Sequence, residues 1–191
     1  GFKADPNRYH LYVSLACPWA HRTLIYRKLK GLEDMTSISV VHPFMRDQGW
    51  TFKEGNGVIQ DPINHAKYMY EVYTAAKPHY TGRVTVPVLW DKEKNTIVSN
   101  ESSEIIRMFN SAFDEIGATE LNLLPADMLT EIDEINALVY SAVNNGVYKA
   151  GFATTQEVYE EAVTELFDGL DVLEVRLATS RYLVGDSVTE A

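Results

Sequence analysis

The one cysteine of the chain, Cys17, lies in the run Ala16-Cys17-Pro18-Trp19-Ala20-His21-Arg22, after a strand-like stretch and just ahead of a helix that Pro18 would open. That places the thiol at the helix N-cap, where unpaired amides and the positive end of the helix dipole favour thiolate over thiol. By residue type alone, a cysteine here is equally a small buried apolar side chain. The following Pro18-Trp19-Ala20 tips the balance, because Cys-Pro-x-x opening a helix after the first strand is the layout of a redox-active βαβ unit. Position 20 is alanine, so no resolving cysteine is present. Any disulfide made by Cys17 must therefore be with another molecule.

Two further places carry candidate chemistry. Val86-Pro87 falls inside Arg83-Val84-Thr85-Val86-Pro87-Val88-Leu89-Trp90, an otherwise convincing strand in which proline cannot donate to the ladder. A cis peptide there would turn the Val86 amide and carbonyl outward, to pair with one residue of an extended peptide; an ordinary edge proline is the plainer explanation. Glu101-Ser102 follows Ser99-Asn100 at the start of another helix. First-turn amides and a serine hydroxyl suit a carboxylate, and Glu101 suits an ammonium group, the two ends of an α-amino acid. Ser, Asn and Glu are also common in any first helical turn.

The elements that must position these groups read as follows. Strands are expected at 9–14, 36–41, 83–90 and 96–99, and helices at 19–30, 65–76 and from about 101, the last carrying Ile105, Ile106 and Phe109 inward. Residues 43–64 form a long loop without sustained periodicity, which contains Trp50; its ring either covers a ligand or pins the loop. Beyond a turn-rich linker at 114–125, one long helix is expected from about Ala126 to Asn144 and another from about Thr155 to Thr179. The resulting domains are 1–113, α/β with helices on both faces of a small mixed sheet, and 126–191, all-α. Ser187-Val188-Thr189-Glu190 has capping-box spacing, which leads to the expectation that a further helix follows and that the sequence is part of a longer chain.

Composition narrows the classes. Of 191 residues 46% are hydrophobic, enough for a packed core, and no apolar run is long enough to cross a membrane. A formal charge of −10 repels a phosphate backbone, so nucleic acid is not an expected partner. A lone cysteine excludes an internal disulfide and a multi-cysteine zinc site, and fits a reducing, cytoplasmic compartment. No metal is expected.

Taken together, the thiol at 17, Val-Pro at 86–87, Glu-Ser at 101–102 and the helical second half resemble a cytosolic glutathione transferase, with a thioredoxin-like N-terminal domain and an all-α C-terminal domain, here incomplete. Cysteine in place of serine or tyrosine points toward omega-like members. The runs Ala16 to Arg22, Arg83 to Asp91 and Ser99 to Ser102, with Trp50 in the long loop, are similar to the glutathionyl-hydroquinone reductases, or Xi class. This resemblance implies glutathione as co-substrate, Cys17 as nucleophile, and Trp50, Arg83, Val84, Thr85, Val86, Glu101 and Ser102 as the glutathione site. It also implies Tyr148 as a catalytic tyrosine, in Asn144-Asn145-Gly146-Val147-Tyr148, along with a homodimer and further tyrosines beyond residue 191. Nothing else singles out Tyr148 among eleven tyrosines. It follows an Asn-Asn-Gly expected to break the helix, where its hydroxyl would face a cleft or its ring serve as a half-buried anchor.

The activity implied is reduction of a glutathionyl-hydroquinone through a Cys17–glutathione disulfide. The alternatives are a general omega-like thioltransferase or dehydroascorbate reductase, and a transferase-like binding domain with an idle thiol.

Overall fold

A computed structural model describes residues 1–191, which divide into two compact units, Gly1–Leu121 and Asn122–Ala191. In the first unit, β1 (Tyr9–Val13), α1 (Pro18–Leu29) and β2 (Thr36–Val40) form a βαβ crossover. α2 (Met69–Ala76), the hairpin β3 (Val88–Asp91) and β4 (Thr96–Ser99), and α3 (Ser102–Ser111) follow. The sheet order is β2-β1-β3-β4, with β1 parallel to β2 and antiparallel to β3. This is the thioredoxin-like arrangement. Every residue of β1 is buried, as a central strand covered on both faces requires.

Two side-chain systems lock the sheet. At one end the Arg8 guanidinium reaches the fully buried Asp91 carboxylate at 2.6 Å, and Asp91 also accepts the amides of Glu93 and Lys94 to close the hairpin turn. Burial alone would raise the Asp91 carboxyl; the Arg8 hydrogen bond and these two amides hold it below its ordinary value instead. In β1, His10 lies between the hydroxyls of Ser37 and Ser39, at 2.7 and 2.8 Å. Ser39 spends its own proton on the carbonyl of Gln60, so the imidazole donates from Nε2 and accepts at Nδ1, the neutral form.

Burial pushes His10 down to about 4, against a weaker upward pull from Asp61. An unfolded histidine titrates near ~6.5, so between these values the unfolded chain takes up a proton that the folded one refuses. Stability is therefore expected to fall by about 3 kcal/mol as pH drops from 7 to 4, and to be insensitive to this group above neutrality. Urea unfolding midpoints at pH 7 and 4.5 check this, and His10→Gln should flatten the slope in that window. The depressed Asp91 acts in the same direction at lower pH, its contribution being lost as the carboxylate protonates.

Several elements differ from the sequence expectation. α2 begins at Met69 rather than near 65, because His65 has φ +53° and residues 67–69 run extended against 50–52. Glu71 then caps the helix by accepting the amides of Lys67 and Tyr68. The third strand covers only 88–91 rather than 83–90: the carbonyls of Arg83 and Thr85 are taken by the hydroxyls of Tyr80 and Tyr73 and residues 83–86 pair with no strand, the Val86-Pro87 bond being cis. α1 buries Ala20, Thr23 and Tyr26, leaving Ile25 and Leu29 exposed. The 43–64 loop is anchored by an isolated bridge from Ile59 to Val40 and by Asp61, which accepts the Tyr12 hydroxyl and the amides of Ile63, Asn64 and Ala66.

Lys30, at the C-cap of α1, is 1% exposed. Its ammonium donates to Asp114 Oδ1 at 2.9 Å and to the carbonyls of Thr119 and Leu121 at 2.6 and 2.7 Å. That fastens residues 114–121, the last segment of the first unit, to the end of α1.

The second unit is helical: α4 (Leu129–Leu138), a π-helical stretch at Val139–Asn144, α5 (Asn145–Gly151) and α6 (Gln156–Leu177). Asn144-Asn145-Gly146 does not break the first helix as expected; the backbone widens into a π turn and continues. Gly146 stands against Leu166, and an added Cβ at Gly169 would lie 2.6 Å from that of Ala142. Ile132, Ile135 and Val184 form the core. Near residue 191 the Glu190 amide donates to the Leu123 carbonyl and its carboxylate accepts from the Asn136 side-chain amide. No helix is long and apolar enough to cross a membrane.

Candidate active site

Cys17 is the N-cap of α1, with extended backbone angles and its carbonyl accepting the His21 amide. The side chain is 9% exposed and makes no capping bond. Its thiol points instead at the carbonyl oxygen of Val86, 3.5 Å away. The first strand-to-helix turn and the segment before β3 are thus brought together. Val86 is buried, and its N–H bonds to nothing else in the chain. An extended ligand backbone laid beside Val86 would find that donor unspent and the sulfur adjacent.

Residues 83–85 are held by two tyrosines that the sequence did not single out. Tyr73 of α2 donates its hydroxyl to the Thr85 carbonyl at 3.0 Å and accepts the Thr85 amide at 3.3 Å. The same oxygen accepts from the Asn100 side-chain amide at 3.2 Å, so one phenol joins the Val86 segment to the turn before α3. Tyr80, packed on the Tyr73 ring, donates to the Arg83 carbonyl at 2.7 Å. Arg83 and Thr85 are exposed and Val84 is half-buried, while the Thr85 hydroxyl stands 3.2 Å from that of Tyr73.

Glu101 is the N-cap of α3, exposed, with its amide bonded to Ser99 Oγ. Ser102 is the first helical residue and 4% exposed. Its hydroxyl accepts from Arg22 Nε at 2.9 Å, another residue whose role no local pattern revealed. Trp50 is half-buried; its carbonyl accepts the Met69 amide, so its backbone is pinned while the ring stays partly open. A cavity of about 520 Å³ beside this loop is lined by Phe52, Asp61, His65 and Tyr68 among others, and by none of the expected site residues. Tyr148 belongs to the second unit, half-buried within α5 rather than on a turn, its ring stacked on Phe152. No group of three or more His, Cys, Asp or Glu side chains stands where it would hold a metal ion.

Comparison with known proteins places these features. Residues 16–112 match the family described as glutathione S-transferase, N-terminal domain. The chain is 60% identical over 191 residues to glutathionyl-hydroquinone reductase PcpF of Sphingobium chlorophenolicum, covering all of this chain and 61% of that protein. It superposes with TM-score 0.95 and 58% identity on the glutathione-bound structure of YqjG, a glutathione transferase homologue from Escherichia coli K-12, covering 98% of this chain and 61% of that one. For the Xi glutathione transferase ECM4 of Saccharomyces cerevisiae in complex with glutathione, the TM-score is 0.92 at 39% identity, with 99% and 70% covered. The chain spans about three-fifths of the length of the curated relatives it matches.

Proposed function

From the premise that the chain belongs to the glutathione S-transferase family, in its Xi class, we propose that it carries the glutathione site and nucleophile of a glutathionyl-hydroquinone reductase. The observation that carries this reading is the Cys17 sulfur 3.5 Å from the Val86 carbonyl, beside a Val86 N–H with no partner in the chain. A glutathionyl group paired along Val86 has its own sulfur next to Cys17. Its γ-glutamyl end falls to Glu101 and Ser102, its amine on the carboxylate and its α-carboxylate on the hydroxyl and first-turn amides of α3. Trp50 and the Arg83-Val84-Thr85 backbone flank the peptide.

The reaction balances without metal or nucleotide. The Cys17 thiolate attacks the thioether sulfur, the bond from sulfur to the ring carbon breaks, and that carbon takes up a proton. An aryl carbon leaves readily only if the ring passes through its keto tautomer, so a general acid near it is needed, and Tyr148 is assigned that role. The hydroquinone departs. A second glutathione thiolate then cleaves the Cys17–glutathione disulfide, releasing oxidised glutathione and restoring Cys17. The reading includes a homodimer working in the cytoplasm, where glutathione keeps thiols reduced.

Two measurements test it. Exposure to oxidised glutathione should add one glutathionyl group to Cys17 by intact mass; an unmodified thiol would leave only a binding domain. Turnover of a glutathionyl-hydroquinone well above that of a simple mixed disulfide separates the reading from a general thioltransferase. Tyr148→Phe should lower kcat by about 10²-fold with little change in glutathione affinity, and an unchanged kcat removes its role.

A further inference from the structure

We propose that Arg22 is a positioning residue for the glutathione α-carboxylate, acting through Ser102; this rests on the reading just given. Arg22 Nε donates to Ser102 Oγ at 2.9 Å, joining α1 to the first residue of α3. A serine hydroxyl has one proton and two lone pairs. With a guanidinium on one lone pair, the proton is left to address an acceptor, and a bond received from a cation polarises the O–H into a stronger donor. Ser102 is 96% buried by the measure of its 4% exposure, so its hydroxyl has few other orientations open to it.

Charge makes the same demand. The chain carries a formal −10, and Glu101, needed for the ligand's amine, stands one residue from Ser102. A ligand carboxylate arriving there meets an adjacent carboxylate, which the positive charge of Arg22 offsets. The guanidinium is itself held over the Trp19 ring, 5.3 Å from its centroid, so it is fixed in direction before any ligand arrives. Lysine offers neither the planar fork nor this stacking.

The test compares glutathione with γ-aminobutyryl-cysteinylglycine, which lacks only the γ-glutamyl α-carboxylate, by titration calorimetry on the whole chain. Arg22→Gln is expected to weaken glutathione about tenfold and the analogue less than about twofold. Ser102→Ala should show the same selectivity, and the double variant should weaken glutathione by clearly less than the product of the two single losses, as residues acting through one contact require. Arg22→Lys, which keeps the charge and perturbs folding least, should show a smaller loss of the same selective kind. An equal loss for both ligands, or no loss, overturns the inference. If the unsubstituted chain binds no glutathione, the preceding reading falls and takes this one with it; binding without selectivity in the variants overturns this one alone.

Discussion

Cys17→Ser is expected to abolish reduction of a glutathionyl-hydroquinone, a loss of more than about 10³-fold, while leaving the fold intact. The proposed reaction stores its progress in a sulfur–sulfur bond, and a serine oxygen cannot form that intermediate or be released from it by a second thiol. Stability points the other way. Cys17 occupies the N-cap of α1 without making a capping bond, and serine is a better N-cap than cysteine, so the thermal midpoint should hold or rise slightly. Loss of turnover with an undiminished midpoint identifies chemistry rather than unfolding. Full activity in this variant would end the proposal.

Lys30→Met is expected to destabilise the first unit by about 3 kcal/mol, read as a drop in the urea midpoint at unchanged slope. The substitution keeps most of the apolar stem and removes only the ammonium. That ammonium supplies donors to two carbonyls, Thr119 and Leu121, and to a half-exposed carboxylate, Asp114. Asp114 regains water cheaply; the two carbonyls lose a charge-assisted partner each. Residues 114–121 should then open ahead of the sheet, as faster amide exchange there than in β1. An unfolding free energy within about 0.5 kcal/mol of that of the unsubstituted chain would show that the cluster contributes little.

The local rules of helix and turn chemistry made much of this legible. Pro18 after Cys17 marked the start of α1, and Ile105, Ile106 and Phe109 marked the buried face of α3, all three being 2% exposed or less. The order of elements through the mixed sheet followed from pattern alone. Where the reading departed from the structure, contacts distant in sequence had decided. The start of α2 is delayed by pairing with 50–52, and the expected strand at 83–87 gives way to hydroxyl ties from Tyr73 and Tyr80. Arg22 and Ser102 are 80 positions apart and Tyr73 and Asn100 are 27 apart, so no window of sequence displays either pair. Asn144-Asn145-Gly146 carried break signals that the packing against α6 overrides, Gly146 lying buried beside Leu166 within a continuous helical path. Thr23 and the fully buried Lys30 lie on the α1 face that hydrophobicity would have turned outward.

The missing side chain at Gly169 sets a spacing. Ordinary carbon contacts lie near ~3.5–4.0 Å, so a methyl placed 2.6 Å from the β-carbon of Ala142 could be seated only by prising the two rods apart by about an ångström. The gauge of that seam is thus written in an atom the sequence withholds, and the mildest possible enlargement, to alanine, would act as a wedge along a 22-residue lever.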